Sequence, residues 1–336
     1  MIANFLKKRI CIAIELGYSA IKGVRVCSSR KIIDACAIIP FSSFTEYPYD
    51  DPDIVLPPLN SLRDKLGAKG KRVRLCVNMS HITVRELRVP VVPEDEMEEV
   101  VKWELKKVID YDPDIYNMDF KVIENVLVDN VEKYLVKVYV ARKKILKQYV
   151  SLIEQADMGV DSITIPPYAL RALFIELFGD VSGNFAIIDL GAKSSTLSIV
   201  KNKIVRFERQ LIFSSFELAD ILEKKGVALH TMDELSSGYR IGDESAIDEG
   251  IVDALNSLVE ELSKSFNYFS SVIKGGNITK ILLTGGLANL NGIDAFIADK
   301  TGVYTEILNP FTVFQCNDVT IDPLRISVAL GSGLLR

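Results

Sequence analysis

Ile12-Ala13-Ile14-Glu15-Leu16-Gly17-Tyr18-Ser19, continued by Ile21-Lys22-Gly23-Val24-Arg25-Val26, returns later in the chain. The second version reads Ala186-Ile187-Ile188-Asp189-Leu190-Gly191-Ala192-Lys193, then Thr196-Leu197-Ser198-Ile199-Val200. Each copy is a continuous apolar run, a short glycine-bearing turn and a second run that partly alternates apolar and polar residues, the pattern of a β-hairpin. In both, a carboxylate stands two residues before a glycine, and Glu15 to Asp189 and Gly17 to Gly191 are the same 174 residues apart. One such hairpin is commonplace. Two in register imply two related halves that face each other.

Their chemistry follows from the residue types. Glycine lets a turn backbone approach a ligand closely and leaves successive N–H groups outward, an arrangement that cradles anions. A carboxylate at each strand end would repel that anion unless a cation intervened. Magnesium, held through its waters by Glu15 and Asp189 together with phosphate oxygens, meets both demands. Two such loops across a cleft read as a clamp for a nucleoside triphosphate; either loop alone reads equally well as a plain hairpin with a surface acid. A third element is Lys280-Ile281-Leu282-Leu283-Thr284, a β-rich run ending in Gly285-Gly286. It leads through Asn289 and Gly292 into a helical stretch, Ile293 to Ala298, that stops at Gly302. Strand, paired glycines and helix suit close backbone approach to a flat ligand.

Composition narrows the alternatives. The chain has 336 residues, enough for roughly two domains and for large cores without disulfide staples. With 40 Lys and Arg against 45 Asp and Glu, it lacks the broad basic field of a non-specific nucleic-acid binder. The cysteines, Cys11, Cys27, Cys36, Cys76 and Cys316, form no C-x-x-C pair and fit a reducing compartment. His81 and His230 are the only histidines, with no third ligand near either, which argues against a structural zinc site and a Ser-His-Asp triad. No apolar run approaches the ~20 residues a bilayer requires. Lys7-Lys8-Arg9 is not followed by the apolar core and cleavage site of a signal peptide.

In this order and at these separations, the three elements resemble the two phosphate motifs and the adenosine motif of the actin-like ATPase superfamily. Further segments are similar to one branch of it, the PilM family of type IV pilus assembly. They are Leu6-Lys7-Lys8-Arg9, Val101-Lys102-Trp103-Glu104, Asp119-Phe120, Val140-Ala141-Arg142-Lys143, Gly285 to Gly292, Asn309-Pro310-Phe311 and Ala329-Leu330-Gly331. The resemblance runs over nearly the whole chain. It implies an α/β, actin-like (ribonuclease H-like) two-lobed fold with an inserted strand-helix-strand-strand subdomain, and ATP with Mg2+ as cofactors. On it, Gly17, Tyr18, Ser19 and Lys22 meet the nucleotide from one side and Gly191, Ala192, Lys193, Ser194 and Ser195 from the other. Gly285, Gly286, Leu287 and Asn289 meet the adenosine. Glu261 and Lys264, three apart on a helix from Ile251 to about Ile273, match the ribose and base contacts of actin-like proteins; an ordinary helix-surface ion pair is the other reading.

The expected organisation is a first lobe begun by 1–36, an inserted subdomain over 37–160 and a connecting segment 161–182. The second lobe then comprises 183–205, a small subdomain 206–276 and the adenosine motif 277–320, before a final helix over 321–336 returns to the first lobe. Within the insert, Pro90 and Pro93 punctuate the chain and Glu94-Asp95-Glu96 opens a helix, acids in its first turn where the dipole favours them. Met97, Val101, Leu105 and Val108 give it an apolar face. Strands around 118–126 and 134–141 follow, separated near Asp129-Asn130, and then a helix from Lys144 to about Ala156. Trp103, the single tryptophan, is either a core anchor of this subdomain, the commoner fate of an aromatic on an amphipathic helix, or part of a groove for a partner peptide.

The resemblance implies as partner the N-terminal cytoplasmic tail of a membrane-anchored PilN-like protein, with other pilus platform or motor proteins and self-association as further possibilities. It places the chain in the cytoplasm, peripheral to the inner membrane through its partners. Three departures from the family pattern bear on mechanism: Glu15 stands where aspartate is usual, Tyr18 follows Gly17 where small residues are usual, and Lys193 occupies a small-residue position. The Tyr18 ring would crowd the phosphates, and Lys193 would pair with a phosphate or take the place of a cation. The expectation is ATP binding without rapid hydrolysis, in a scaffold whose closed form sets partner binding. Two rivals are a small-molecule kinase of the same superfamily, for which no acceptor pocket with a positioned base is recognisable, and an FtsA-like filament-forming division protein. Against the latter, the sequence stops at Arg336 without a linker and amphipathic helix.

Overall fold

The computed structural model describes residues 10–41, 48–224, 241 and 246–335. Leu6-Lys7-Lys8-Arg9 and His230 lie outside the described residues. Asn78–Leu152 forms one compact unit and the remainder of the chain another.

The larger unit carries two sheets built to one plan. In the first, β1 (Ile10–Leu16) and β2 (Ala20–Cys27) form the expected hairpin and β3 (Ile32–Pro40) extends it antiparallel. β4 (Arg72–Cys76) and β8 (Gly159–Thr164) add parallel strands on the far side of β1, and β14 (Gln315–Cys316) closes the other edge beside β3. In the second sheet, β9 (Asn184–Asp189), β10 (Ser195–Lys201) and β11 (Ile204–Leu211) repeat the antiparallel trio, while β12 (Lys280–Thr284) and β13 (Thr305–Ile307) repeat the parallel pair. The central strands are apolar along their middles, where both faces are covered, and carry polar residues at or near their ends.

Two helices sit in the core that residues of both sheets share. These are α4 (Pro166–Phe178) and α8 (Ser327–Leu334), the latter packed on β1, β2 and β4 of the first sheet. They approach so closely that a Cβ on Gly331 would lie 2.1 Å from the Ala169 carbonyl oxygen. On the second sheet, α5 (Ser215–Lys224) and α6 (Ala246–Ser271) bury Leu218, Leu222, Leu255, Leu258 and Leu262 against Ile188, Leu197 and Ile199. The segments expected as 183–205, 206–276 and 277–320 therefore contribute to one sheet and one core, with β11 crossing the first of those boundaries.

The expected insert, 37–160, is too long. Residues 37–77 instead build the first sheet, because β3 is hydrogen-bonded along β2 and β4 along β1. Between them α1 (Pro52–Leu66), capped by the Asp51 side chain, buries Val55, Leu59, Leu62 and Leu66 on that sheet. Leu66 lies where a Cβ on Gly23 would come within 2.6 Å of it, so the repeat's third glycine serves packing.

The smaller unit has the expected order: β5 (Ile82–Pro90), α2 (Met97–Lys106), β6 (Tyr116–Val128) and β7 (Val131–Arg142), with β7 central. Asp129 and Asn130 turn the β6–β7 hairpin at φ 51° and 62°, the left-handed pair of a two-residue loop. Met97, Val101 and Leu105 cover Val136, Val138 and Val140, whereas Val108 lies past the helix and is exposed. Trp103 corrects the core expectation: it is 62% exposed, with the Lys107 ammonium 3.2 Å from its ring centre. It sits on the face of α2 opposite the apolar stripe. Among the described residues no helix is long and apolar enough to cross a membrane.

Candidate functional site

The site begins where the paired strands end. In the first hairpin Glu15 lies directly across from Lys22, so both side chains leave the same face of the ribbon. The Lys22 ammonium donates to Glu15 Oε1 at 2.6 Å. The other carboxylate oxygen, Oε2, is buried and has no hydrogen-bond partner among the described residues. An orphaned acceptor of this kind costs about 1–3 kcal/mol, a penalty that a donor from a ligand would relieve. Gly17 keeps the turn tight, since a Cβ there would stand 2.8 Å from the Ala20 carbonyl oxygen. The Tyr49 hydroxyl donates to the Gly17 carbonyl, and the Ser19 carbonyl accepts from the Phe41 amide at 3.1 Å.

In the second hairpin Asp189 has Thr196 beside it on β10 and Thr284 on β12. The Gly191 and Ala192 carbonyls accept from the Ser215 and Phe216 amides, at 3.2 and 3.0 Å. That fixes the turn to the start of α5. A Cβ on Gly191 would lie 2.5 Å from the Ser194 carbonyl oxygen. Ser194 and Gln210 are joined at 3.3 Å, and the fully buried Ser195 hydroxyl donates inward to the Phe213 carbonyl.

The two hairpins act on each other. Burial, and then the Glu15 carboxylate, push Asp189 up to about 6, with Lys22 opposing. Cys76, beside Glu15 at the end of β4, is fully enclosed, and burial followed by the same two carboxylates drives its thiol well up, against a hydrogen bond with Ser332. Above this floor, the Lys193 ammonium lies 4.9 Å from the centre of the Tyr18 ring, one turn against the other.

The glycine pair after β12 closes the third side. Gly285 has φ 88°, and a Cβ on it would fall 2.6 Å from Asp189 Oδ1. Only glycine allows this approach. Gly286 follows it within reach of the Arg325 side chain. Leu287 turns its side chain into the core, and the Asn289 amide group donates to Asp322 at 2.6 Å. On α6, Glu261 accepts the Ile212 amide at 3.1 Å, and it lies near enough to Glu217 to reinforce burial in raising that carboxyl. Lys264 pairs instead with Glu260, at 3.6 Å on an exposed face.

Glu15, Gly17, Tyr18, Lys22, Asp189, Lys193 and Gly285 are thus drawn together, whereas the side chains of Ser195 and Leu287 point inward and Lys264 is engaged by another acid. Cys76, Tyr49, Ser332 and Arg325 join the site without a signal in their own sequence neighbourhoods, because strand pairing and the last helix bring them in.

A family model described as type IV pilus assembly protein PilM matches residues 13–329. The chain belongs to the PilM family. The fold of this family member is actin-like. A structure described as a PilM–PilN type IV pilus biogenesis complex superposes with a TM-score of 0.78 at 24% identity, covering 96% of this chain and 97% of that one. The ethanolamine utilization protein EutJ of Carboxydothermus hydrogenoformans gives 0.59 at 9% identity, covering 99% and 92%. MreB5 of Spiroplasma citri bound to AMPPNP gives 0.55 at 12%, covering 97% and 95%.

The protein's own packing requires glycine at three positions, since a Cβ on Gly17, Gly191 or Gly285 would meet neighbouring backbone or the Asp189 carboxylate, and Glu15 Oε2 is a buried acceptor that a donor or a cation would satisfy. Glu15, however, already spends its other oxygen on Lys22. Among the described residues no group of three or more His, Cys, Asp or Glu is arranged to hold a metal.

Proposed function

We propose that this PilM-family chain is a cytoplasmic ATP-binding scaffold of the type IV pilus inner-membrane assembly platform, in which nucleotide occupancy sets the affinity for the N-terminal tail of a PilN-like membrane protein. The observation that carries the nucleotide reading is the meeting of two hairpins of the same design, Lys193 of one turn lying 4.9 Å from the Tyr18 ring of the other and Gly285 standing against Asp189. A ligand held by both turns ties the two sheets together, and α4 and α8 pass through the core that both sheets share. Preference of the nucleotide for the closed arrangement would then shift the population toward it. The PilM–PilN complex among the similar structures supports the choice of partner.

In this reading Lys22, Lys193 and the glycine turns meet the phosphates and Glu15 and Asp189 hold the accompanying cation through its waters; the departures at Glu15, Tyr18 and Lys193 make binding without rapid turnover the expected output. The test is calorimetric titration with ATP, and with a peptide of the PilN-like tail in the absence and presence of saturating ATP. No ATP binding removes the nucleotide reading, no peptide binding removes the partner, and peptide affinity indifferent to ATP removes the coupling.

A further inference from the structure

We propose that Cys36 and Cys316 form a reversible thiol–disulfide site, oxidised by low-molecular-weight disulfides, whose closure pins the segment from β14 to Leu324 against the first sheet. The inference is independent of the nucleotide reading above.

The two cysteines stand 280 residues apart in the chain, yet their Sγ atoms lie 3.4 Å from each other. β14 runs parallel to β3 with Cys316 beside Ile33. β3 bulges at Asp34, where the pairing passes from Ile33 opposite Val26 to Ala35 opposite Arg25. The extra residue shifts the alternation of side chains, so Ile33 and Cys36 enter the same core, and Cys316 packs against it. A disulfide needs its sulfurs about 2.05 Å apart. The remaining approach falls to β14, which is only two residues long and is followed by the exposed Asn317, Asp318, Val319 and Thr320. Both thiols line a cavity of about 750 Å³ together with Asp34, Lys65 and Asp318, and Cys316 is the more exposed of the two. Burial, then the hydrogen bond and charge of Cys316, push the Cys36 thiol up to about 12, so Cys316 attacks first. Its sulfur bonds to one sulfur of the small disulfide, whose S–S bond breaks, and the Cys316 proton passes through solvent to the departing thiolate. Cys36 then bonds to Cys316 Sγ and gives up its proton to the second departing thiolate. Two protein thiols have lost two electrons, and one small disulfide has become two thiols. The link anchors the stretch of chain that frames the glycine pair after β12. There Asp322 accepts from Asn289 at 2.6 Å, and the Leu324 carbonyl accepts from the Gly285 amide and the Thr284 hydroxyl, both at 3.2 Å.

The experiment incubates the native full chain with glutathione disulfide, blocks the remaining thiols with iodoacetamide and digests the protein without reductant. Mass spectrometry should recover a peptide that joins Cys36 to Cys316. Dithiothreitol should abolish it, and it should be missing from Cys316→Ser and, as a second variant should the first not fold, from Cys36→Ala. Hydrogen exchange of the oxidised wild type should be several-fold slower over 317–324 than that of the reduced protein, and return to the reduced rate with dithiothreitol. Recovery of Cys36 and Cys316 only as blocked thiols or as separate glutathione adducts overturns the site. A joined peptide with unchanged exchange over 317–324 overturns the pinning.

Discussion

The Lys193 ammonium lies over the ring of Tyr18, 4.9 Å from its centre, and so connects the turn of one hairpin to the corresponding turn of the other. Neither residue has a counterpart at the matching position of the repeat, where Ala192 and Ser19 stand. The contact is therefore a feature of the assembled pair. A double-mutant cycle of Tyr18→Leu and Lys193→Gln, read by chemical denaturation of the ligand-free protein, should return a coupling of about 0.5–2 kcal/mol. A coupling indistinguishable from zero would mean that the ring and the ammonium do not meet in solution.

Asp189 makes stability depend on pH. Its carboxyl titrates at about 6 in the folded protein, above its ordinary value of 3.8, so between those values the folded state holds a proton that the unfolded state has released. Stability is full below the lower value and declines as pH rises through the upper one. Asp189→Asn removes the decline, and at pH 7.5 the variant should be more stable than wild type by about 2 kcal/mol. Denaturant titrations at pH 5 and pH 7.5 compare the two proteins; a variant less stable than wild type at the higher pH would contradict the assignment.

Gly285 and Gly302 both have positive φ, 88° and 67°, but only the first is crowded. Alanine at 302 meets nothing within 4 Å and should cost about 1 kcal/mol, the strain of the left-handed backbone. Alanine at 285 carries comparable strain and drives a methyl into Asp189 and Leu190, so a loss of about 3 kcal/mol or more is expected, together with loss of nucleotide binding. Melting temperatures of the two variants rank the sites.

Trp103 distinguishes surface from core. At 62% exposure, Trp103→Ser should change stability by no more than about 0.5 kcal/mol, against the 3–5 kcal/mol of a buried tryptophan truncation. If the PilN-like tail uses this face of α2, the same variant weakens peptide binding while its melting curve stays in place.

Gly331 measures how tightly the shared core is closed. A methyl there would press on the Ala169 carbonyl oxygen from 2.1 Å, so Gly331→Ala should force α4 and α8 apart at a cost of about 1–3 kcal/mol. Circular dichroism melts check the loss.

Local patterns settled the hairpins, the β12–glycine–α7 element (α7, Ile293–Thr301), the strand-helix-strand-strand order of the smaller unit and the pairing of Glu15 with Asp189 as equivalents. Each depends on periodicity, turn glycines or a repeat, all of which are written within a few neighbouring residues or in direct self-comparison. Family membership was legible for the same reason. The extent of the insert was not, because whether β3, α1 and β4 belong to one body or another depends on which strand β1 hydrogen-bonds, and that partner lies about sixty residues away. The exposure of Trp103 was decided by the phase of α2 on its sheet, and the partner of Lys264 by the choice between Glu260 and Glu261, one residue apart on a helix. Sequence placed Lys22 and Lys193 near a phosphate; only the folded chain set one on a carboxylate and the other on a ring, since side-chain pairing across a cleft is fixed by strand register and by the approach of the two sheets.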